Sequence, residues 1–286
     1  MLRPGETVYD DSNYTSLLSQ TYEQLPDGNV VGVHISGGQK RYLSRVNSPG
    51  QTVDYKATYS SPFDTSGPRG TNPTISRSDW KAALTEQTDR RRLVSQFQNF
   101  APHDQDGLPT CWANGPAHAF TTARVMQGLP LVYMSACSVA VPISGGHSGG
   151  DEWDAAEYSV KYGFADFGVW GNNDTSYSLN TSQDVVESRK HHLALELYEC
   201  NSFDEFATAC LMGYCCAIAY NWWSHVIMLC DLVEVEAGSW GFRIRNNWGN
   251  WGDKNEYGQP GYAVFREGKG TPSSGFAYRQ TLASAA

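Results

Sequence analysis

The chain has 286 residues, of which 40% are apolar and 18% charged, and it contains 9 Trp, 16 Tyr and 11 Phe. This composition excludes a disordered chain and predicts one large domain or two small ones. The formal net charge of −9, with no long cluster of Lys or Arg, argues against a nucleic-acid partner. No run approaches 18 apolar residues, so we expect no membrane span.

Residues 1–75 are rich in Gly, Ser, Thr, Asn, Asp and Pro and contain short β-like runs such as 30–35. The stretch 59–73 has the composition of a linker or an extended arm. We therefore predict an N-terminal extended or β-like arm or prosegment over 1–75, followed by a globular domain over 76–286.

The globular part begins with helical patterns and ends with strand patterns. The spacing of apolar residues and a capping box formed by Ser202 and Glu205 predict helices over 80–99, Cys111–Gln127, 151–162, 182–197 and from Ser202 onward. Runs rich in apolar and β-branched residues predict strands over 214–220, 225–235, 240–246 and 261–265. Helices followed by strands indicate an α+β domain.

The seven cysteines include no Cys-x-x-Cys motif and no zinc-finger spacing with histidine. An odd count on a chain whose first residues do not read as a secretory signal argues against a disulfide scaffold. We therefore expect neither a structural metal site nor another cofactor. Cys215 and Cys216 should point to opposite faces of their strand, so we expect no disulfide between them.

Three polar residues lie where a nucleophile, a base and an orienting group would be useful. Cys111 opens a helical pattern, and the backbone N–H groups and dipole of a helix N-terminus stabilise a thiolate. His225 begins an apolar strand, where its imidazole could accept the thiol proton and pass it to a leaving amine. Asn246 ends another strand, and its amide oxygen could hold the histidine ring in position.

The surrounding residues resemble the motifs of the papain-like cysteine peptidases. The order Cys, His, Asn is that of the family, and the spacing of 135 residues from Cys111 to Asn246 lies within the roughly 130–150 typical of it. The match extends over about 79–266. The motifs that carry it are Gln105 six residues before Cys111, Cys111-Trp112-Ala113, Gly149-Gly150 ahead of a helix, Ser224-His225-Val226, Asn246-Asn247-Trp248-Gly249, Trp251-Gly252 and Gly261-Tyr262.

The resemblance implies a two-lobed α+β fold, with a helical lobe carrying Cys111, a β-rich lobe carrying His225 and Asn246, and a catalytic cleft between them. It implies that Cys111 is the nucleophile, that His225 is its base and acid, and that Asn246 orients His225. Gln105 and the backbone N–H of Cys111 would form the oxyanion hole.

Three further residues acquire roles from the same resemblance. Trp248 would shield the His–Asn hydrogen bond from water and contribute to the substrate-binding cleft. Gly149 and Gly150 would line the cleft and pair with an extended peptide backbone.

Two departures from the family pattern bear on these expectations. Leu108 occupies the position of a cysteine that usually forms a disulfide three residues before the nucleophile, which indicates a divergent branch. This departure and the missing signal favour an intracellular or virion-associated protein. Pro116 falls inside the nucleophile helix, so we expect a distorted first turn or a helix that restarts there.

The function indicated is endopeptidase-type hydrolysis of peptide bonds, with a peptide or protein as substrate. Two alternatives stay open at this point. The same residues could act on an isopeptide or cell-wall amide, as an amidase or transpeptidase. The chain could also be a structural component of a larger assembly, such as a virus or phage particle, on which the N-terminal arm docks.

Overall fold

A computed structural model describes residues 2–10, 20–24, 30–36, 39–45, 69–71 and 74–282. Its helices are α1 (Trp80–Asp89), α2 (Cys111–Met126), α3 (Cys137–Ser144), α4 (Glu152–Lys161), α5 (Gln183–Lys190) and α6 (Phe203–Leu211). Its strands are β1 (Val8–Tyr9), β2 (Gln20–Gln24), β3 (Val30–Ser36), β4 (Gln39–Arg45), β5 (Arg69–Thr71), β6 (Ala194–Glu199), β7 (Cys215–Tyr220), β8 (His225–Glu236), β9 (Ser239–Arg245), β10 (Tyr262–Arg266) and β11 (Ser274–Thr281). None of these helices is long and apolar enough to cross a bilayer.

One sheet organises the described part of the chain. Its strand order is β1-β10-β9-β8-β7-β11-β6-β5, while β2, β3 and β4 form a separate antiparallel sheet. The central strands β7 and β8 are buried over most of their length. Helices on both faces of this sheet give the α+β class expected from the sequence.

The two faces of the sheet build two separate cores. Side chains alternate along β7, so that Cys216 packs into the core shared with α1 and α6, whereas Cys215 packs into the core shared with α2 and α4. This confirms that adjacent Cys215 and Cys216 face opposite sides. The second core holds Cys111 and places the start of α2 against the central strands.

The sequence overestimated the length of two helices. The helix expected over 80–99 ends at Asp89, and Arg91 then adopts a φ of +51°, which is incompatible with a continuing α-helix. The helix expected over 182–197 ends at Lys190, and β6 follows as a strand. The residues of β6 favour helices intrinsically, but pairing with β5 and β11 overrides that preference.

Helix α2 runs without interruption across Pro116, contrary to the expected restart. Proline at this position removes one backbone bond, the one to the carbonyl of Trp112. The first turn does not depend on that bond. The amide nitrogen of the Asn114 side chain donates to the carbonyl and hydroxyl oxygens of Thr110 at 3.1 and 3.0 Å and so stabilises the turn. Burial of the helix on both sides of Pro116 compensates for the single lost bond.

Within the described residues of 1–75, the regular elements are strands and none is a helix. Strand β1 pairs in parallel with β10 at one edge of the main sheet, and β5 pairs in parallel with β6 at the other edge. The N-terminal region therefore covers both edges of the sheet that carries His225. Its docking on a larger assembly stays a prediction.

Candidate active site

Cys111 is the first residue of α2 and is completely buried. The backbone N–H groups of Ala113 and Asn114 donate to the carbonyl of Thr110, so that the first turn is well formed. The N–H groups at the start of a helix have no acceptor within the helix and carry its positive dipole end. This is an environment in which a thiolate and a developing oxyanion are both stabilised.

A glycine brings this helix against the strand that starts with His225. Gly115 lies one turn after Cys111, and a Cβ atom placed on it would be 2.9 Å from Val226 Cγ1 and 3.1 Å from the Ile227 backbone nitrogen. Both distances are too short for an ordinary contact, so only glycine allows α2 to pack this closely on β8. Since Val226 follows His225 directly, the contact places the start of α2 beside His225.

His225 and Asn246 are joined by a hydrogen bond of 2.8 Å between the ring nitrogen Nε2 and the side-chain oxygen Oδ1. The same Oδ1 accepts a bond of 2.8 Å from the backbone N–H of Asn247, and the Asn246 backbone N–H donates to the Gly261 carbonyl at 2.8 Å. Asn246 is thus fixed from both sides. Because an amide oxygen only accepts, Nε2 carries the proton and Nδ1 of the neutral ring is the basic nitrogen.

Two tryptophans enclose the imidazole of His225. The Trp248 ring lies 4.5 Å from it in a tilted stack, and the Trp223 ring lies 4.8 Å away edge to face. Both tryptophans and His225 are fully buried. The indoles exclude water from the His225–Asn246 bond, which strengthens that bond because the local dielectric is low.

Gln105 belongs to the same cluster and is 1% exposed. Its Oε1 accepts from the indole N–H of Trp248 at 3.2 Å, and its Nε2 donates to the Leu108 carbonyl at 2.6 Å. The Gln105 backbone N–H also donates to the Asn247 carbonyl at 3.0 Å. The carboxamide is therefore held in one orientation between the loop before Cys111 and the loop after Asn246.

The Gly149-Gly150 segment adjoins the site through Trp112. The Trp112 indole N–H donates to the Ser148 carbonyl at 3.1 Å, and a Cβ atom on Gly150 would lie 2.6 Å from the Trp112 ring. Both glycines are half-buried. They form a backbone wall beside the residue that follows Cys111, which is compatible with the predicted pairing to an extended peptide.

Sequence reasoning identified the polar residues of this cluster but missed two of its supports. The close approach at Gly115 and the second indole at Trp223 were not anticipated, although Trp223 stands only two residues before His225. The seven cysteines, all within the described residues, form no disulfide. Leu108, in the position of the family's usual cysteine, packs against the small apolar cluster that contains Cys137 and Trp170.

The comparisons with known proteins bear on the fold. No family model matches the chain, and no curated protein matches its sequence. Two procathepsins L of the Tenebrio molitor larval midgut, L 3 and L2, have TM-scores of 0.50 at 14% and 15% identity, over 64% and 68% of this chain and 66% of each of theirs. Xylellain, a cysteine protease from Xylella fastidiosa, has a TM-score of 0.48 at 16% identity, over 65% of this chain and 84% of its own. The two procathepsin matches show that the chain has a papain-like α+β fold.

Proposed function

We propose that this protein is a cysteine peptidase in which Cys111 is the nucleophile, His225 the base and acid, and Asn246 the orienting residue. The observation that carries the proposal is the 2.8 Å bond from His225 Nε2 to Asn246 Oδ1, made on a strand that packs against the helix begun by Cys111. This bond directs the basic Nδ1 away from Asn246.

The reaction proceeds in two halves. His225 Nδ1 takes the thiol proton, and Cys111 Sγ attacks the carbonyl carbon of the scissile bond. The resulting oxyanion accepts hydrogen bonds from the Cys111 backbone N–H and from Nε2 of Gln105, a primary amide with two N–H groups. His225 then protonates the leaving nitrogen, the C–N bond breaks, and an acyl-enzyme remains.

In the second half the same residues hydrolyse the acyl-enzyme, with water as the nucleophile and Cys111 as the leaving group. His225 Nδ1 takes a proton from water, the hydroxide oxygen attacks the acyl carbon, and Cys111 leaves as a thiolate while the carboxylic acid departs. Gly149 and Gly150 present backbone groups to the substrate chain. Trp248, which contacts the His225 ring and donates to Gln105, keeps water from the His225–Asn246 bond during both halves.

A labelling experiment tests the proposal. We would treat the protein with a peptide-like epoxide that reacts with thiols, between pH 4 and 9, and follow adducts by intact mass. Cys111 should be labelled rapidly well below pH 8.5, where an ordinary thiol is mostly protonated. Cys111→Ala should abolish the adduct, and His225→Ala should slow it about 100-fold or more. Asn246→Ala should slow it less, since the imidazole remains but is no longer oriented.

Cys137 provides a matched control, because it also begins a helix and is also buried. Burial and the nearby Asp174 raise the pKa of its thiol to about 12, so it should not react. Cys137→Ala should therefore leave the labelling unchanged. Slow labelling of several cysteines at equal rates would contradict the proposal.

A peptide library incubated with the labelled and unlabelled protein identifies the reaction. Cleavage that the epoxide abolishes supports peptide-bond hydrolysis. A different result would favour the amidase or transpeptidase alternative. In that case Cys111 forms the adduct and the protein releases or transfers isopeptide amines, but it cleaves no ordinary peptide bond.

A further inference from the structure

Strand β9 carries two buried arginines, of which one, in the described part of the chain, is paired with carboxylates and the other is not. Arg243 and Arg245 lie two residues apart on the same face of the strand and are 1% and 0% exposed. The Arg243 guanidinium pairs with Glu6 at 2.5 Å and with Asp231 at 2.8 Å. Arg245 has no carboxylate within ion-pair distance among the described residues. Its Nη2 donates to the Phe100 carbonyl at 2.5 Å, whereas Nε and Nη1 are buried without a hydrogen-bond partner there.

The surroundings of Arg245 compensate for its charge only in part. Its Cζ atom lies 5.3 Å from the Phe100 ring centroid and 5.0 Å from that of Tyr262, and both rings offer cation–π attraction. Such contacts do not replace the hydration that a guanidinium loses on burial. Burial accordingly lowers the pKa of Arg245, whereas the two carboxylates raise that of Arg243 against the effect of burial.

Two buried histidines, His103 and His118, lie close enough to Arg245 for its charge to act on both imidazoles. The rings of His103 and His118 stack with centroids 4.7 Å apart and planes inclined by 8°, and His118 lies 6.2 Å from the same Phe100 ring. Both residues are buried, and their four ring nitrogens have no partner among the described residues. Burial and Arg245 lower the pKa of His103 to about 3. Burial, followed by His103 and Arg245, also lowers the pKa of His118, so each ring is neutral and keeps one N–H donor.

We propose that a small monovalent anion, of the halide class, binds between the guanidinium of Arg245 and the imidazole N–H groups of His103 and His118. One negative charge balances Arg245, and a spherical anion accepts several N–H groups at once. A divalent oxyanion would leave an unbalanced negative charge in the same place. Water would satisfy the N–H groups but would leave the charge of Arg245 uncompensated.

The position of this site links it to the candidate active site without depending on the proposed activity. Arg245 directly precedes Asn246, and the His103 carbonyl accepts from the Gly249 N–H at 3.3 Å, in the loop that carries Trp248. The anion would therefore stabilise the segment that orients His225. Its binding is measurable by stability alone, whether or not the protein cleaves peptides.

The test replaces chloride or bromide with gluconate at constant ionic strength and pH 7.5 and follows thermal unfolding of the full chain. Halide should raise the melting temperature saturably, by about 5 °C between halide-free and saturating buffer. Arg245→Met should remove this dependence. Arg124→Met is the matched control, because Arg124 is also buried and also donates to a backbone carbonyl, that of Leu282, but lies outside the His103–His118 stack. It should keep the dependence.

A second measurement covers the case in which Arg245→Met does not fold. Crystals of the unmodified protein soaked in bromide should show an anomalous peak within hydrogen-bond distance of Arg245, and His103→Phe should raise the bromide concentration needed for half-maximal stabilisation about tenfold. Stability that follows ionic strength alone, an equal loss in Arg124→Met, or no bromide at Arg245 would overturn the proposal.

Discussion

Glu152 is a carboxyl group buried at the first residue of α4, two residues after Gly150. It is fully buried, and its Oε1 accepts a hydrogen bond of 2.5 Å from the Ser274 hydroxyl. Burial, followed by the neighbouring charge of Asp151, raises its pKa to about 8. The same causes raise the pKa of Asp154 to about 6. At pH 7, Glu152 is therefore mostly neutral, whereas Asp154 is mostly ionised.

This raised pKa predicts a specific dependence of stability on pH. An unfolded glutamate has a pKa near 4.3, so between about pH 4.5 and 8 the folded chain binds a proton that the unfolded chain has lost. The contribution of Glu152 is therefore complete below about pH 4.5 and is lost as the pH rises to 8. Glu152→Gln should be more stable than the unmodified protein at pH 9 by a few kcal/mol, and similar to it at pH 5.

Urea unfolding at intervals between pH 5 and 9 measures this difference. Glu157→Gln on the same helix is the control, since it removes a charge without touching the Ser274 contact. If both variants change stability equally at every pH, Glu152 does not titrate as described.

The polar residues of the candidate site could be predicted because residue type and order along the chain are enough to recognise them. Cys111, His225 and Asn246 stand in short motifs, and the ends of their elements follow from local patterns, such as the strand that begins at His225. Trp223 and Gly115 escaped prediction because their roles depend on contacts across the fold. Tryptophan and glycine occur in many structural roles, and the roles of Trp223 and Gly115 become evident only once α2 is packed on β8.

The junction between α2 and β8 is the contact between elements on which the candidate site depends most. Gly115→Ala would add a methyl group 2.9 Å from Val226 Cγ1 and 3.1 Å from the Ile227 backbone nitrogen. The backbone cannot move aside as a flexible side chain can, so α2 must shift away from His225. Alanine favours a helix by up to about 1 kcal/mol over glycine, but overpacking costs about 1–3 kcal/mol.

We therefore expect Gly115→Ala to lower stability by about 1–2 kcal/mol and to slow epoxide labelling of Cys111 more than this loss accounts for. Gly171→Ala is the control, because the nearest atom to its added methyl group would be Asp174 Cβ at 3.7 Å. Chemical unfolding and the labelling rate are measured on both variants. A Gly115→Ala protein that labels at the normal rate would show that the spacing of α2 and β8 is not critical.

At the scale of helices and strands, sequence prediction succeeded where an element is defined by local contacts and failed where it is defined by distant ones. The helix start predicted at Ser202 was correct, since the Ser202 hydroxyl accepts from the Glu205 N–H at 3.3 Å and α6 starts at the next residue. The Glu205 carboxylate accepts from the Asn201 N–H at 2.5 Å. Strand β6 was missed because its partners are β11, some 80 residues later, and β5, more than 120 residues earlier. A pairing over such distances leaves no local pattern, whereas a cap is made within four residues.

At the scale of the whole molecule, the N-terminal residues are part of the sheet that carries the candidate site. Thr7 accepts from the Val264 N–H at 3.0 Å through its carbonyl, and its own N–H donates to Asp253 at 2.6 Å. Glu6 lies between these contacts and the core, where it pairs with Arg243. Removal of the first ten residues would therefore uncover an edge of the sheet and leave a buried guanidinium with one carboxylate instead of two.

The ion pair between Glu6 and Arg243 gives a prediction for the whole fold. Both side chains are at most 4% exposed, and Asp231 completes the cluster. Glu6→Gln leaves the Arg243 charge balanced by Asp231 but weakens a buried, two-point hydrogen bond between a carboxylate and a guanidinium. It should therefore lower the free energy of unfolding by about 2 kcal/mol. Glu86→Gln breaks an ion pair with Arg90 in which both side chains are 57% exposed, and it should cost less than about 0.5 kcal/mol.

Urea unfolding of the two variants at pH 7 compares the pairs directly. A loss of similar size in both would mean that the N-terminal segment leaves the sheet easily and that Arg243 is solvated when it does. A large loss confined to Glu6→Gln would instead show that the pairing of Glu6 with Arg243 stabilises the fold and holds the first residues on the sheet, where β1 pairs with β10.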